Sequence, residues 1–265
     1  MRKIKFVDTT LRDGEQTPGV VFSKKEKILL AKNIDRLNIS IIEVGIPAVG
    51  ELEREIIRKI IDLNLKTEIL VWNRMKIEDI KLSLNCKAKN IHLSAPVSNI
   101  QLELKLKKEK SKLLAEMAEV VKYAKSAGCM VSIGAEDASR AEKDFLHQYL
   151  ETAENAGADR FRYADTVGIL DPFTSYKSLK ELRNKTELAL EFHAHNDFGM
   201  AVANSLAAYR AGVDYISTTI GGIGERAGNT DFKKIVDAYN YFYGDEFKVD
   251  TNIYQEVFQI LQNAL

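Results

Sequence analysis

Eight short apolar runs, each closed by polar residues and followed by a longer stretch, constrain this chain more than any other feature. The runs are I-K-F-V-D-T, S-I-I-E-V-G-I, E-I-L-V-W, N-I-H-L-S-A, M-V-S-I-G-A, R-F-R-Y-A-D, L-E-F-H-A-H and Y-I-S-T-T-I. Their β-branched composition and their length suit strands. Stretches such as L-L-A-K-N-I-D-R-L, L-L-A-E-M-A-E-V-V-K-Y-A and V-A-N-S-L-A-A-Y have helical spacing. Regular strand–helix alternation implies a parallel sheet with helices outside it. Eight such units in 265 residues point to an α/β fold of the (β/α)8 TIM-barrel type, not an open doubly wound sheet. Three helix ends repeat Ala-Gly before a strand, at Gly128, Gly157 and Gly212, where a helix C-terminus turns through a left-handed residue.

The barrel is expected over residues 1–244 and a C-terminal helical extension over 245–265. In that last helix Ile253, Val257, Phe258, Ile260 and Leu261 form an apolar stripe that needs a cover. Lysine plus arginine equals aspartate plus glutamate, 38 each, which argues against a general nucleic-acid or membrane-surface binder. Cys86 and Cys129 stand far apart and form neither a metal-spaced pair nor a disulfide framework. Asp8 interrupts the N-terminus before a signal-peptide apolar region develops, and no uncharged run approaches a membrane span. The expectation is a cytoplasmic protein.

In such barrels the chemistry sits at the C-terminal strand ends. His193 and His195 lie two apart on a strand, so both side chains face the same way and can reach one metal. With carboxylate, amide oxygen and water, two imidazoles suit an octahedral divalent ion, Mg, Mn, Co or Zn. After strand one come Arg12, Asp13, Glu15 and Gln16, which otherwise read as a solvated turn. Asp13 is placed to supply the carboxylate, and Arg12 to hold a substrate carboxylate or an oxyanion. Glu136 closes strand five and is the better acid–base candidate, because Asp137 and Ser139 fit a helix start. G-G-I-G-E-R-A-G-N lacks the spacing of a dinucleotide or P-loop motif. It suits either phosphate binding or a tight turn around Glu225 and Arg226. His147 reads as a surface helical residue, and His92 as lining either the site or the core.

D-T-T-L-R-D-G-E-Q, H-A-H-N-D-F-G-M-A and G-x-G-E-R-A-G-N together resemble the metal-dependent barrel family of isopropylmalate, homocitrate and citramalate synthases and 3-hydroxy-3-methylglutaryl-CoA lyase. The resemblance spans essentially residues 3 to 260. The lyases carry a cysteine-containing loop where this chain has G-E-R-A-G-N. E-V-G-I-P-A-V-G-E-L-E-R-E, S-A-P-V-S-N and F-R-Y-A-D-T-V-G are most similar to the nitrogenase-associated homocitrate synthases.

The resemblance implies condensation of acetyl-CoA with a 2-oxo acid, foremost 2-oxoglutarate, followed by thioester hydrolysis. It implies Asp13, His193, His195 and Asn229 as divalent-metal ligands, Arg12 on the developing alkoxide, Gln16 and Thr166 on the oxo acid, and Glu136 in proton transfer. Lysine-pathway homocitrate synthases have an arginine where this chain has Ser132, and synthases usually have asparagine where it has Gly221. Family members continue into a helical subdomain that supplies a histidine to the neighbouring subunit. The sequence ends at Leu265 without it, so the expectation is a homo-oligomer, or a hetero-oligomer with a separately encoded subunit. The readings that compete are citramalate or isopropylmalate synthase, a related lyase, and a non-catalytic subunit that keeps the barrel.

Overall fold

The computed structural model describes residues 3–244 and 247–265. Eight parallel strands close into one barrel: β1 (Lys5–Asp8), β2 (Ile41–Glu43), β3 (Glu68–Arg74), β4 (Asn90–Pro96), β5 (Met130–Glu136), β6 (Arg160–Asp165), β7 (Ala189–Ala194) and β8 (Tyr215–Thr218). Closure runs from Lys5↔Tyr215 to Asp8↔Thr218. The main helix after each strand is, in turn, α1 (Lys24–Ile34), α2 (Glu51–Ile61), α3 (Ile77–Asn85), α4 (Lys110–Ser126), α5 (Lys143–Asn155), α6 (Pro172–Arg183), α7 (Ala201–Ala211) and α8 (Phe232–Tyr243). A last helix, α9 (Thr251–Ala264), follows. Among the described residues no helix is long and apolar enough to cross a membrane.

Local sequence sets these elements. Ser23 caps α1 in a reciprocal box with Glu26. Asp171 and Asp250 cap α6 and α9 through their side chains. Gly128, Gly157 and Gly212 stand at φ 78°, 94° and 103°, the left-handed turn expected at these three helix ends.

The pleat then sorts side chains. On β6, Phe161 packs outward against Tyr149 of α5, while Arg162 and Ala164 face inward onto the cavity. On β7, Leu190 and Phe192 belong to the outer core, while Glu191 and His193 turn inward. The inner apolar cluster is small, Val7, Ile41 and Leu70 beneath Tyr215. Charged and polar groups occupy much of the remaining interior.

The stripe on α9 is covered by the barrel itself. Val257 and Leu261 are fully buried, Tyr254 tilts against Phe232, and the helix packs on α1. Phe258 and Leu261 also lie against Gly221, where a Cβ would come within 2.9 Å of the Phe258 ring. The glycine that stands for the usual asparagine is therefore the one that admits this helix. Asp137 does precede a short 3-10 helix, Ala138–Arg140, but its side chain does not cap it. It sits at φ 57° and accepts hydrogen bonds from Ser98 and Arg140, while α5 begins later, at Lys143.

Candidate metal and oxo-acid site

β1 ends at Asp8, and the chain turns into a short 3-10 helix, Gly14–Gln16. Just before this turn stand Arg12 and Asp13. Asp13 is buried and lies 3.3 Å from Nε2 of His193. The rings of His193 and His195 are 5.1 Å apart, and both are buried. Ligand-type atoms of Asp13, His193 and His195 lie within 4.8 Å of one another. Asn229 reaches the same point through a bridge to the His195 backbone. Its amide nitrogen donates to Asp13 Oδ1 at 2.9 Å and to the Ile223 carbonyl at 2.9 Å.

The glycine-rich loop serves this placement. A Cβ on Gly224 would meet Asn229 Nδ2 at 2.1 Å, and one on Gly228 would meet the Gly222 carbonyl at 2.0 Å. Its glycines let the loop fold back over Asn229, so the phosphate-cradle reading loses its ground. Arg226 in the same loop pairs chiefly with Asp197, at 2.8 and 3.0 Å, and with Glu225 at 3.2 Å.

Electrostatics keep Asp13 ionised and His195 neutral, the protonation states that metal ligation needs. Burial opposes the Asp13 charge, but Arg12 and then His193 outweigh it and hold the carboxyl well below its ordinary range. Burial, and then the neighbouring His193, lower His195 to about 4. Its imidazole is thus neutral at pH 7, the form that ligates metals. Asn229 Oδ1 and the Nδ1 atoms of both histidines are buried without a hydrogen-bond partner. Buried polar atoms are ordinarily satisfied. A set of one carboxylate, two imidazoles and an unpartnered amide oxygen fits a divalent ion.

A cavity of about 240 Å3 opens above these groups at the C-terminal end of the barrel. Arg12, Asp13, Gln16, Glu136, Thr166, His193 and His195 all line it, and Asn229 stands behind Asp13. Within the expected set, Thr166 is also tied down, because its hydroxyl accepts from the Asp137 N–H at 2.8 Å. Glu15 turns away to pair with the buried Lys27 at 2.7 Å. His92 lines the cavity from β4, held by Ser132 at 3.0 Å. Burial, then Arg162, drive its pKa well below the usual imidazole value, so it is neutral. Gly134 makes room for it, since a Cβ there would lie 2.6 Å from His92 Nε2.

Sequence reading missed the support beneath. Arg12 Nε donates to Glu43 at 2.5 Å, and Arg162 bridges Glu43 and Glu191 at 2.6 Å each. Ser217 also donates to Glu191 at 2.6 Å, and Arg160 Nε stands 2.9 Å from it. The available signal was R-x-R on β6 beside E-x-H on β7, continued by His195 just past the strand, where period two puts all five on one face. Burial opposes the Glu43 charge, yet Arg12 and Arg162 hold it ionised, with its pKa far below the usual value.

The HMGL-like family model matches residues 3–260. The chain belongs to the HMGL-like family. It is 44% identical to 2-isopropylmalate synthase 2 of Caldanaerobacter subterraneus subsp. tengcongensis, over 97% of this chain and 67% of that one. Homocitrate synthase 1 of a Nostoc species is 43% identical over 100% and 70% of the two chains. The homocitrate synthase subunit alpha of Clostridium pasteurianum is 42% identical over 97% and 94%. Among solved structures, an HMG-CoA lyase from Brucella melitensis superposes with a TM-score of 0.86 over 99% of both chains, at 17% identity. That last likeness concerns the fold alone.

Proposed function

We propose that this HMGL-like chain is a divalent-metal-dependent acyltransferase that condenses acetyl-CoA with a 2-oxo acid, foremost 2-oxoglutarate to give homocitrate. The observation that carries this reading is the buried Asp13, His193 and His195 set with the unpartnered Asn229 oxygen, at the floor of a cavity edged by Arg12 and Glu136. Synthase names among relatives of more than 40% identity support it.

Asp13, His193, His195 and Asn229 would hold the ion, which when bound polarises the 2-oxo carbonyl as a Lewis acid. Arg12 spends Nε on Glu43 and Nη1 on Asp13, which fixes its plane and leaves Nη2 for the alkoxide oxygen that develops during attack. Glu136, 21% exposed on the cavity wall, removes a proton from the acetyl methyl or orients it. The carbanion so formed bonds to the ketone carbon, the alkoxide takes a proton, and water then cleaves the thioester to release CoA thiol. Thr166 and Gln16 position the oxo acid at the rim.

A two-subunit enzyme is part of this proposal. Its support is the relative named as a subunit alpha, which this chain matches over 94% of its length. The α9 stripe gives no support, because the barrel covers it.

One observation favours a second reading, isopropylmalate or citramalate synthesis. Ser132 replaces the arginine expected to hold a distal carboxylate, and the nearby Arg162 is already committed to Glu43 and Glu191. A screen of 2-oxo acids with acetyl-CoA, following free thiol with and without a candidate partner chain, separates these. Preference for 2-oxoglutarate is expected. Preference for pyruvate or 2-oxoisovalerate would replace the homocitrate reading, and thiol release with no acid in either format would end the condensing one.

A further inference from the structure

The connection between β4 and α4 carries a signal of its own. Residues 99–112 read N-I-Q-L-E-L-K-L-K-K-E-K-S-K, with five lysines against two glutamates in a chain of zero formal charge. After a turn at Asn99–Gln101 the backbone widens into a π-helix over Leu102–Leu106. Such turns are rare and concentrate at functional sites. This one ends on Lys107 in the left-handed region, at φ 48°, a costly place for a lysine.

The segment joins two places. On one side Lys105 lines the catalytic cavity, with Nζ 3.7 Å from Glu136 Oε2. On the other, Lys107, Lys108 and Lys110 edge a groove of about 790 Å3 floored by Leu102 and Leu114. Leu104 is 72% exposed and Ile100 48% exposed on the same stretch. Lys108 and Lys110 are engaged by Glu116 and Glu142. Lys107 and Lys112 are exposed and form no ion pair among the described residues.

We infer that this segment binds the phosphorylated nucleotide end of the acyl-CoA. The inference rests on the acyl-CoA reading above. The reacting acetyl group belongs beside Glu136, and a cavity of about 240 Å3 is too small for the rest of the molecule. The long arm must therefore leave over the rim, and Lys105 marks the exit. A local excess of lysine beyond that exit concentrates a multiply charged anion. The exposed Leu104 and Ile100 give the adenine or the pantetheine arm an apolar surface. A lysine run that merely keeps a face in water needs neither exposed aliphatics beside it nor a widened turn that strains a lysine.

Calorimetry of the full chain with CoA, 3′-dephospho-CoA and pantetheine tests this. Wild type should bind CoA more tightly than dephospho-CoA, and that more tightly than pantetheine. The double variant Lys107→Gln, Lys112→Gln should weaken CoA roughly tenfold and leave pantetheine unchanged. The control Lys81→Gln, Lys89→Gln on and after α3 should change nothing. Equal binding of CoA and pantetheine by wild type, or an equal loss in the control, overturns the inference and leaves the acyl-CoA reading standing. So does a double variant that keeps the full preference for CoA. Binding of neither ligand by wild type overturns both.

Discussion

Two sets of buried polar side chains share the inside of this barrel, and they are satisfied in opposite ways. The ladder Arg12–Glu43–Arg162–Glu191–Arg160 alternates charge at every step through contacts of 2.5 to 2.9 Å. Its loose ends are Arg160 Nη2 and Glu191 Oε2, and the latter still faces Arg160 Nε as an ion pair. The cluster of Asp13, His193, His195 and Asn229 is also buried, yet leaves two ring nitrogens and an amide oxygen without partners. A linked ionic ladder is a support, because every charge in it already faces an opposite one. An open donor set is a candidate site, because buried polar atoms are ordinarily satisfied and these are not. Arg12 belongs to both, so the support fixes the geometry of the site.

The largest expected effect breaks the open set. His193→Ala should abolish divalent-ion binding in calorimetry and lower turnover roughly a thousandfold or more. A variant that still bound 2-oxoglutarate with unchanged metal dependence would show that the site lies elsewhere. Next comes the ladder. Glu43→Gln leaves Arg12 and Arg162 short of a counter-charge and should cost about 3–5 kcal/mol in urea unfolding. A loss below about 1 kcal/mol would mean that the ladder is a dispensable ornament of the interior.

Asp8 sharpens the contrast between paired and unpaired carboxylates. Burial pushes it up to about 7, against hydrogen bonds from Thr10, and no arginine pairs with it among the described residues. Its folded pKa is raised, so its contribution is fully present below the unfolded value near 3.8 and is lost as pH rises through about 7. Asp8→Asn should remove a decline on the order of a few kcal/mol between those pH values. Parallel stability–pH curves for variant and wild type would refute the assignment. The smallest effect probes the open set at its edge. Asn229→Ala should weaken metal affinity about 10–100-fold without unfolding the protein. Unchanged affinity would remove Asn229 from the ligand set.

Much of this is legible in the sequence. Eight runs of strand-like residues could be counted because period-two burial leaves a mark on each one separately. The histidine pair could be read for the same reason, since two residues apart on a strand is a statement about direction. Gly128, Gly157 and Gly212 announced their turns through local backbone preference. Asp137 does open a 3-10 helix, as aspartate suggests, but its side chain caps nothing there, because its partners, Ser98 and Arg140, come partly from another strand end. The ladder stayed hidden because its members come from three strands and the loop after β1. Nothing local distinguishes Glu43 from a surface glutamate.

The sequence by itself determined the alternation, the closed parallel architecture it implies, and which side chains end each strand. Those properties follow from short-range pattern and steric preference. Only the tertiary structure fixed how the strand ends meet: that Asp13 lies 3.3 Å from His193, that the glycine loop folds over Asn229, and that α9 finds its cover on the barrel. The reason is physical. Pairing between residues some two hundred positions apart is set by barrel closure and by the need to neutralise buried charge, and neither leaves a trace in a local window.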